Sequence, residues 1–213
     1  KFKNNNRKIF ILLSHFASSD ERLNNYNSLQ NKKFKESFKF FKNVKFLSLA
    51  NSMGTILNKN YHYDIVRPGI SLYGGHYNTK LKKLIKPVIK LKAKILQIKE
   101  IKKGEYIGYN QTFKTSKNIT VAILGIGYAD GLSRLLSNKG KVFFRDKKFN
   151  IVGRVSMDSI TVDISKYKEI IKTNDFMEII NHDYGIDKMA EDCNTISNEI
   201  LTSISNRVKR IYL

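Results

Sequence analysis

Two kinds of hydrophobic pattern divide the chain and limit the folds that it can adopt. Up to Gly75, apolar residues occur in unbroken runs at Ile9 to Leu13, Val44 to Leu49 and Tyr63 to Val66. Runs of this kind are typical of parallel strands that are buried on both faces. Polar residues follow each run, and the C-terminal ends of the strands carry the chemistry in β/α barrels. The first part of the chain is therefore predicted to hold three parallel barrel strands.

A helix is predicted between the first two runs. Ser18 is followed three residues later by Glu21, which is the spacing of a capping box that opens a helix. The apolar residues downstream fall near one helical face, with Lys and Asn between them: Leu23, Tyr26, Phe34, Phe38 and Phe41.

After Gly75 the pattern changes. Residues 89–95 alternate strictly between apolar residues and lysine, which predicts a half-buried antiparallel strand. Further strands are expected at 119–124, 141–144, 149–152, 159–163 and 176–180, and one helix at Ile186 to Cys193. The predicted fold class is α/β plus β. Residues 1–78 form the C-terminal portion of a TIM-type (β/α)8 barrel, and residues 79–213 form a mostly antiparallel β domain. Because a complete barrel needs roughly 250 residues, the first part cannot close one and should leave strand edges exposed.

The formal net charge of +21 raises the question of nucleic-acid binding. Only eight of the 39 basic residues are arginine, and Asn and Ile are also abundant, as an AT-rich coding sequence produces. The basic residues are scattered, without the interleaved aromatic residues of a stacking platform. We interpret the charge as a solvated, codon-biased surface and predict no nucleic-acid partner. Functional polyanion binding is the alternative.

The remaining composition favours a cytoplasmic protein. Cys193 is the single cysteine, which excludes an internal disulfide and suits a reducing compartment. No run of 18 apolar residues occurs and no signal sequence follows the basic start, so we predict no membrane partner. The four histidines have no metal-ligand spacing, so no metal is predicted.

Several short motifs are weak singly, because a glycine-rich segment near a tyrosine is usually a turn. In chain order they are Ser14-His15-Phe16-Ala17, Ala50-Asn51-Ser52, Arg67-Pro68-Gly69-Ile70, Gly108-Tyr109, Gly127-Tyr128-Ala129-Asp130-Gly131, Gly153-Arg154-Val155-Ser156-Met157-Asp158, Thr195-Ile196-Ser197-Asn198-Glu199-Ile200-Leu201 and Arg207-Val208-Lys209-Arg210. Together and in this order, the chain resembles the alanine racemase family along nearly its whole length.

The resemblance implies a bacterial, pyridoxal-5'-phosphate-dependent isomerase that interconverts L- and D-alanine as a head-to-tail homodimer, supplying D-alanine for peptidoglycan. Arg67 matches the arginine that faces the pyridine nitrogen of the cofactor. Ser52 and the backbone amides of Gly69 and Ile70 match ligands of its phosphate, and His15 matches a histidine that links the arginine to a tyrosine.

The same resemblance makes Tyr109 the catalytic base, which reaches into the active site of the partner subunit. Met157 matches the residue whose backbone receives the substrate carboxylate, and Tyr128 lines the substrate entrance. Racemisation needs two bases on opposite faces of the α-carbon. Because a phenol ordinarily titrates near pH 10, nearby positive charge must favour its ionised form. An arginine cannot protonate the pyridine nitrogen, so the ring is a weaker electron sink.

The chain departs from the family pattern in three ways. Nothing in it resembles the first barrel strand, with the lysine that binds the cofactor and the arginine that binds the substrate carboxylate. Asn198 stands where a tyrosine usually contacts the cofactor phosphate and lines the entrance. Ser48 stands where a histidine is common, which predicts a looser hold on Arg67. The chain by itself is therefore expected to be inactive. The alternatives are a catalytically dead fragment, a non-enzymatic binding module, or a racemase for another amino acid.

Overall fold

The computed structural model describes residues 9–41, 43–76 and 84–213. The chain separates between Lys86 and Pro87 into two compact units, which are described one at a time. The domain boundary predicted at 78/79 falls within 77–83, outside the described residues. No helix among the described residues is long and apolar enough to cross a membrane.

The first unit contains a two-stranded parallel sheet, in which Ile11 lies opposite Phe46 and Leu13 opposite Ser48. Its core is aromatic: the rings of Phe16 and Tyr61 are 4.8 Å apart between centroids. The elements in chain order are β1 (Ile11–Leu13), α1 (Tyr26–Phe38), β2 (Phe46–Ser48), α2 (Ser52–Leu57), a 3-10 turn (Lys59–Tyr61) and α3 (Gly69–Leu72).

The first helix begins later than the sequence indicates, at Tyr26. Ser18 and Glu21 form a turn instead of a capping box, with the Glu21 amide donating to the Ser18 carbonyl at 3.1 Å. The side chain of Asn27 donates to the Ser18 carbonyl and to the Glu21 carbonyl, at 3.1 Å each. Polar side chains that bond the backbone offer it an alternative to the helix, which explains the late start. Leu23, counted on the buried face, is 93% exposed.

The predicted third strand, which would begin at Tyr63, does not form. Tyr63 has a positive φ of 49°, and the next residue, Asp64, uses its carboxylate to accept a hydrogen bond from the Leu47 amide at 2.7 Å. A side chain thus takes the place of a backbone carbonyl beside β2 and interrupts the ladder. A single isolated parallel bridge joins Asn51 to Arg67. The described part of this unit therefore has two of the three predicted strands.

The second unit is a closed barrel of six antiparallel strands. The predicted strands are confirmed, whereas closure into a barrel was not predicted. The elements are β3 (Leu91–Ile101), β4 (Tyr106–Ile107), β5 (Phe113–Lys114), β6 (Ile119–Leu124), β7 (Lys141–Phe144), β8 (Lys147–Ile151), β9 (Ile160–Asp163), β10 (Phe176–Ile180), α4 (Ile186–Asp192) and α5 (Ser197–Ser203). Around the barrel the order is β3, β6, β9, β8, β7 and β10, which pairs with β3 again.

The alternating segment behaves as its pattern predicts. Leu91, Ala93 and Ile95 are buried along β3, while the lysines between them are exposed. The predicted helix at 186–193 is confirmed as α4, with Cys193 as its C-terminal cap. The loops of the second unit, including the β4–β5 hairpin, carry exposed residues of the sequence motifs.

Candidate functional site

The guanidinium of Arg67 is held in the first unit by contacts to Ser48, Ser14 and His15. Nη1 donates to Ser48 Oγ and Nη2 donates to the Ser14 carbonyl. Nη2 also lies 3.4 Å from His15 Nδ1. None of the bonds that the described residues make to this guanidinium uses Nε, so the Nε–H is among the donors left for a ligand.

Ser48 holds Arg67 directly, and the looser hold expected relative to a histidine stays a prediction. Its hydroxyl accepts from Nη1 and donates its proton to the Ile65 carbonyl at 2.6 Å. Ser48 is 1% exposed, so both bonds are shielded from water. The Ser48 hydroxyl is fixed both at its proton and at a lone pair. It can take the place of a longer side chain because the Arg67 guanidinium reaches the end of β2, where Ser48 lies.

His15 is held between two donors. Its Nε2 lies 3.2 Å from the side-chain nitrogen of Asn51, and its Nδ1 faces Arg67. Asn51 cannot turn its amide around without cost, because its oxygen caps α2 by accepting from Gly54 N at 2.9 Å and also accepts from Ser19 Oγ at 2.7 Å. A neutral imidazole has one donor and one acceptor, so only one of these two contacts is a good hydrogen bond.

Neutral donors meet at the start of α3. Ser52 Oγ lies 3.4 Å from the Ser71 amide, and the Ser71 hydroxyl is buried without a hydrogen-bond partner among the described residues. The Ile70 amide, in the first turn of α3, has no helical carbonyl to bind. The Gly69 amide is used in a turn around Pro68, where it donates to the Arg67 carbonyl at 2.9 Å. A Cβ built on Gly69 would meet no atom within 4 Å, so space is open beside these donors.

Tyr109 lies at the tip of the β4–β5 hairpin in the second unit and is 68% exposed. The loop around it has positive φ at Gly108, Asn110 and Gln111, of 76°, 58° and 52°. A Cβ on Gly108 would lie 2.9 Å from the Arg154 amide, so the hairpin packs backbone to backbone against the next motif. The phenol hydroxyl has no hydrogen-bond partner among the described residues.

Tyr128 and Met157 are brought together through their backbones. The Tyr128 amide donates to the Ser156 carbonyl at 2.9 Å, and the Ala129 amide donates to the Met157 carbonyl at 3.0 Å. Both side chains are exposed, at 43% for Tyr128 and 53% for Met157. The Met157 amide donates to no acceptor among the described residues, so it remains available to a ligand.

Asn198 is the second residue of α5 and is exposed. Its helix is tied to α4 by a hydrogen bond from Ser197 Oγ to Asp187 Oδ1. The predicted site residues therefore fall into two groups. The first unit contains His15 and Arg67, with Ser52, Gly69 and Ile70 close to them in chain and space. The second unit contains Tyr109, Tyr128, Met157 and Asn198.

Sequence reasoning missed the roles of Asn51 and Arg207. Asn51 stands directly before α2, where an N-cap preference could have revealed it. Arg207 bonds two carboxylates that are distant in sequence, and no local signal could have shown those partners.

The chain matches family models over both parts. Residues 2–77 match the model described as alanine racemase, N-terminal domain, and residues 88–212 match alanine racemase, C-terminal domain. Among curated relatives, the alanine racemase of Brucella abortus (strain 2308) is 40% identical over 219 aligned positions, covering 96% of this chain and 55% of the relative. That of Rickettsia canadensis (strain McKiel) is 43% identical over 202, covering 94% and 55%.

Solved structures agree with these matches. The alanine racemase from Bartonella henselae, described with covalently bound pyridoxal phosphate, is 40% identical with a TM-score of 0.89, covering 95% of this chain and 56% of that one. The enzyme from Streptomyces coelicolor A3(2) is 28% identical with a TM-score of 0.91, covering 97% and 56%. The chain thus spans a little over half the length of the relatives it matches. The two family models and the order of the motif residues lead to one conclusion: this chain belongs to the alanine racemase family.

Proposed function

We propose that the chain contributes the phosphate-binding and ring-facing surface, and one of two catalytic bases, to a pyridoxal-phosphate-dependent enzyme that interconverts L- and D-alanine. The observation that supports this most is the Arg67 network. Two guanidinium nitrogens are bonded to Ser48 and Ser14, which leaves Nε as a directed donor. Fixing a guanidinium in one position costs free energy. Its free N–H can donate a hydrogen bond to an uncharged aromatic nitrogen.

The donor set fits the phosphate of this cofactor. Ser52 Oγ, the Ile70 amide and the unpartnered, buried Ser71 hydroxyl are hydrogen-bond donors beside open space at Gly69. Donors of this kind bind a phosphate without a metal ion. Because the Gly69 amide is already bonded, we assign more weight to Ile70 than to Gly69. When bound, the cofactor supplies an electron-withdrawing ring that stabilises the carbanion left when the α-proton departs.

Tyr109 would hold and move the proton on one face of the substrate. Its phenol is exposed on a rigid hairpin tip, as a residue that serves a second copy of the chain requires. We infer a head-to-tail homodimer in which one copy supplies Arg67 and His15 and its partner supplies Tyr109. The free Met157 amide would receive the substrate carboxylate, and Tyr128 would line the entrance.

Residues 1–78 are assigned to the partial cofactor-binding barrel and residues 79–213 to the β domain of this enzyme. The lysine that binds the cofactor has no counterpart among the motifs of this chain, so we expect residues 1–213 alone not to racemise alanine. We place the protein in the cytoplasm, where its buried thiol, Cys193, stays reduced.

The test compares two tyrosines of one hairpin in the whole protein as expressed from its gene. Tyr109→Phe should lower alanine racemisation by about 10²- to 10⁴-fold, the usual effect of removing a positioned base. Tyr106→Phe is the matched control, since Tyr106 is 49% exposed on β4 and contacts Lys114. Formation of D-alanine from L-alanine is measured for each. Racemisation that survives Tyr109→Phe at the rate of the control would contradict the assignment.

A racemase for a larger amino acid is the second candidate, and Asn198 favours it. Asn198 is exposed on α5 at the position where the family usually has a tyrosine, and its shorter side chain occupies less of the entrance. Measurement of kcat/KM for alanine, serine, lysine and arginine decides between the two. A preference for alanine rejects this candidate.

A further inference from the structure

The C-terminal arginine motif contacts both loops that present the exposed residues of the second unit. Arg207 Nη2 donates to Asp158 Oδ1 at 2.6 Å, on the loop that carries Met157. Arg207 Nε lies 3.4 Å from Asp130 Oδ1, on the loop that carries Tyr128. One guanidinium therefore joins carboxylates from two separate loops, which would otherwise repel each other.

Asp130 also accepts hydrogen bonds from two backbone amides. Its second oxygen accepts from the Gly127 amide at 2.9 Å, and its carbonyl accepts from the Ser205 amide at 3.1 Å. The carboxylate is 13% exposed, so water competes poorly for these bonds. The Gly127 end of the loop is thus tied to the Asp130 carboxylate, and the Asp130 end is tied to the C-terminal segment through Ser205.

The two loops also lie too close together for independent movement. A Cβ on Gly127 would lie 2.3 Å from the Met157 carbonyl oxygen, and the Ala129 amide donates to that same oxygen. The carbonyl of Met157 is therefore fixed by the first loop. The Tyr128 amide donates to the Ser156 carbonyl, which shares one planar peptide group with the Met157 N–H, so this bond limits the direction of the free amide.

We propose that Arg207 is a positioning residue for substrate binding, which aims the free amide of Met157 by holding Asp158 and Asp130 together. This inference rests on the proposed function, since it takes the substrate carboxylate as the ligand of that amide. Arg207 does not touch the substrate itself. Its planar fork reaches both carboxylates at once, which the single ammonium of a lysine cannot do in the same geometry.

The first test separates binding from turnover in the whole protein. Arg207→Gln should raise the KM for alanine by about 3- to 10-fold while kcat changes little, because the lost interaction acts on bound substrate and transition state alike. Arg207→Lys should give an intermediate KM. The matched control is Arg210→Gln, because Arg210 donates to the Ile204 carbonyl at 3.0 Å and to neither loop.

Equal KM changes in Arg207→Gln and Arg210→Gln would show a general loosening of the C-terminal segment and overturn the proposal. A wild-type KM in Arg207→Lys would also overturn it, since charge alone would then suffice. Asp158→Asn should raise KM as Arg207→Gln does, and the double variant should be no worse than either one. Additive effects would contradict a shared contact.

The second test does not depend on activity. Hydrogen exchange of the Gly127 and Ala129 amides should be faster in Arg207→Gln than in wild type and unchanged in Arg210→Gln. If the wild-type protein does not racemise alanine, the proposed function fails and this measurement alone decides the role of Arg207. Faster exchange then supports its hold on the loops, and unchanged exchange overturns it.

Discussion

The two units hold their functional residues by different means. In the first, Arg67 is fixed by side-chain and carbonyl acceptors, and its partner Ser48 is 1% exposed. In the second, Tyr128 and Met157 are fixed through backbone hydrogen bonds and glycine contacts, while their side chains remain exposed. The first unit should therefore be sensitive to the chemistry of side chains, and the second to the space available to the backbone.

The largest expected effect tests whether the two units act together across two copies of the chain. Tyr109→Phe and Arg67→Gln should each inactivate the whole protein, with Tyr109→Phe costing about 10²- to 10⁴-fold. In a mixed dimer, one site collects both changes and the other has neither. Activity should return to about half the wild-type turnover per mixed dimer, measured after co-expression and purification with two different tags.

A mixture that stays inactive would place Arg67 and Tyr109 of the same copy in one site. The control is a mixture of Tyr109→Phe copies with wild-type copies, which should recover activity under either arrangement.

A backbone test of the second unit should give the next largest effect. Gly127→Ala brings a methyl group to 2.3 Å from two carbonyl oxygens, those of Met157 and Ser156. Neither backbone can yield without breaking the hydrogen bonds between the loops, so the free energy of unfolding should fall by about 2–4 kcal/mol. Gly69→Ala in the first unit is the control. It should change the free energy of unfolding by no more than about 1 kcal/mol, since no atom lies within 4 Å of the added carbon. Urea unfolding measures the free energy of unfolding of both variants. Equal losses in the two variants would contradict the expected difference between the two units.

A side-chain test of the first unit should give a smaller effect. Ser48→Ala leaves Arg67 Nη1 and the Ile65 carbonyl without their shared partner. The free energy of unfolding should fall by about 1–3 kcal/mol, and pyridoxal phosphate should bind more weakly. Ser37→Ala is the matched control because Ser37 is an exposed serine whose hydroxyl bonds the Lys33 carbonyl within α1. Unchanged cofactor affinity in Ser48→Ala would remove Ser48 from the Arg67 network.

The smallest effect is expected at Asn198. Asn198→Tyr should tighten binding of pyridoxal phosphate to the whole protein by up to about tenfold, since a phenol adds a donor and an apolar wall near the phosphate. Asn198→Ala is the comparison and should not bind more tightly than wild type. Titration of each variant with pyridoxal phosphate, followed by absorbance, measures the two affinities. Weaker binding in Asn198→Tyr would contradict the match of this segment to the family pattern.

Elements whose pattern is local were predictable from the sequence. The alternation at Leu91, Ala93 and Ile95 predicts β3, because successive side chains of any strand point to opposite faces and one face is packed. The unbroken run that includes Ile11 to Leu13 correctly predicts a strand, β1, but the expected burial on both faces is wrong, because Ile11 and Leu13 are exposed. The other two errors arose where a polar side chain competed with the backbone, at Asn27 in the first turn of α1 and at Asp64 beside β2. Such competition depends on where the side chain lies after folding.

The sequence by itself determined which residue types are available to the site, through the order of its motifs, and which segments become strands. The tertiary structure alone decided which atoms meet. Barrel closure needs β10 to pair with both β3 and β7, and Arg67 meets Ser14 across 53 positions of chain. The same holds for Arg207 and Asp158, which are 49 positions apart. Contacts of this range depend on closing long loops, and no periodicity within a short window of sequence records them.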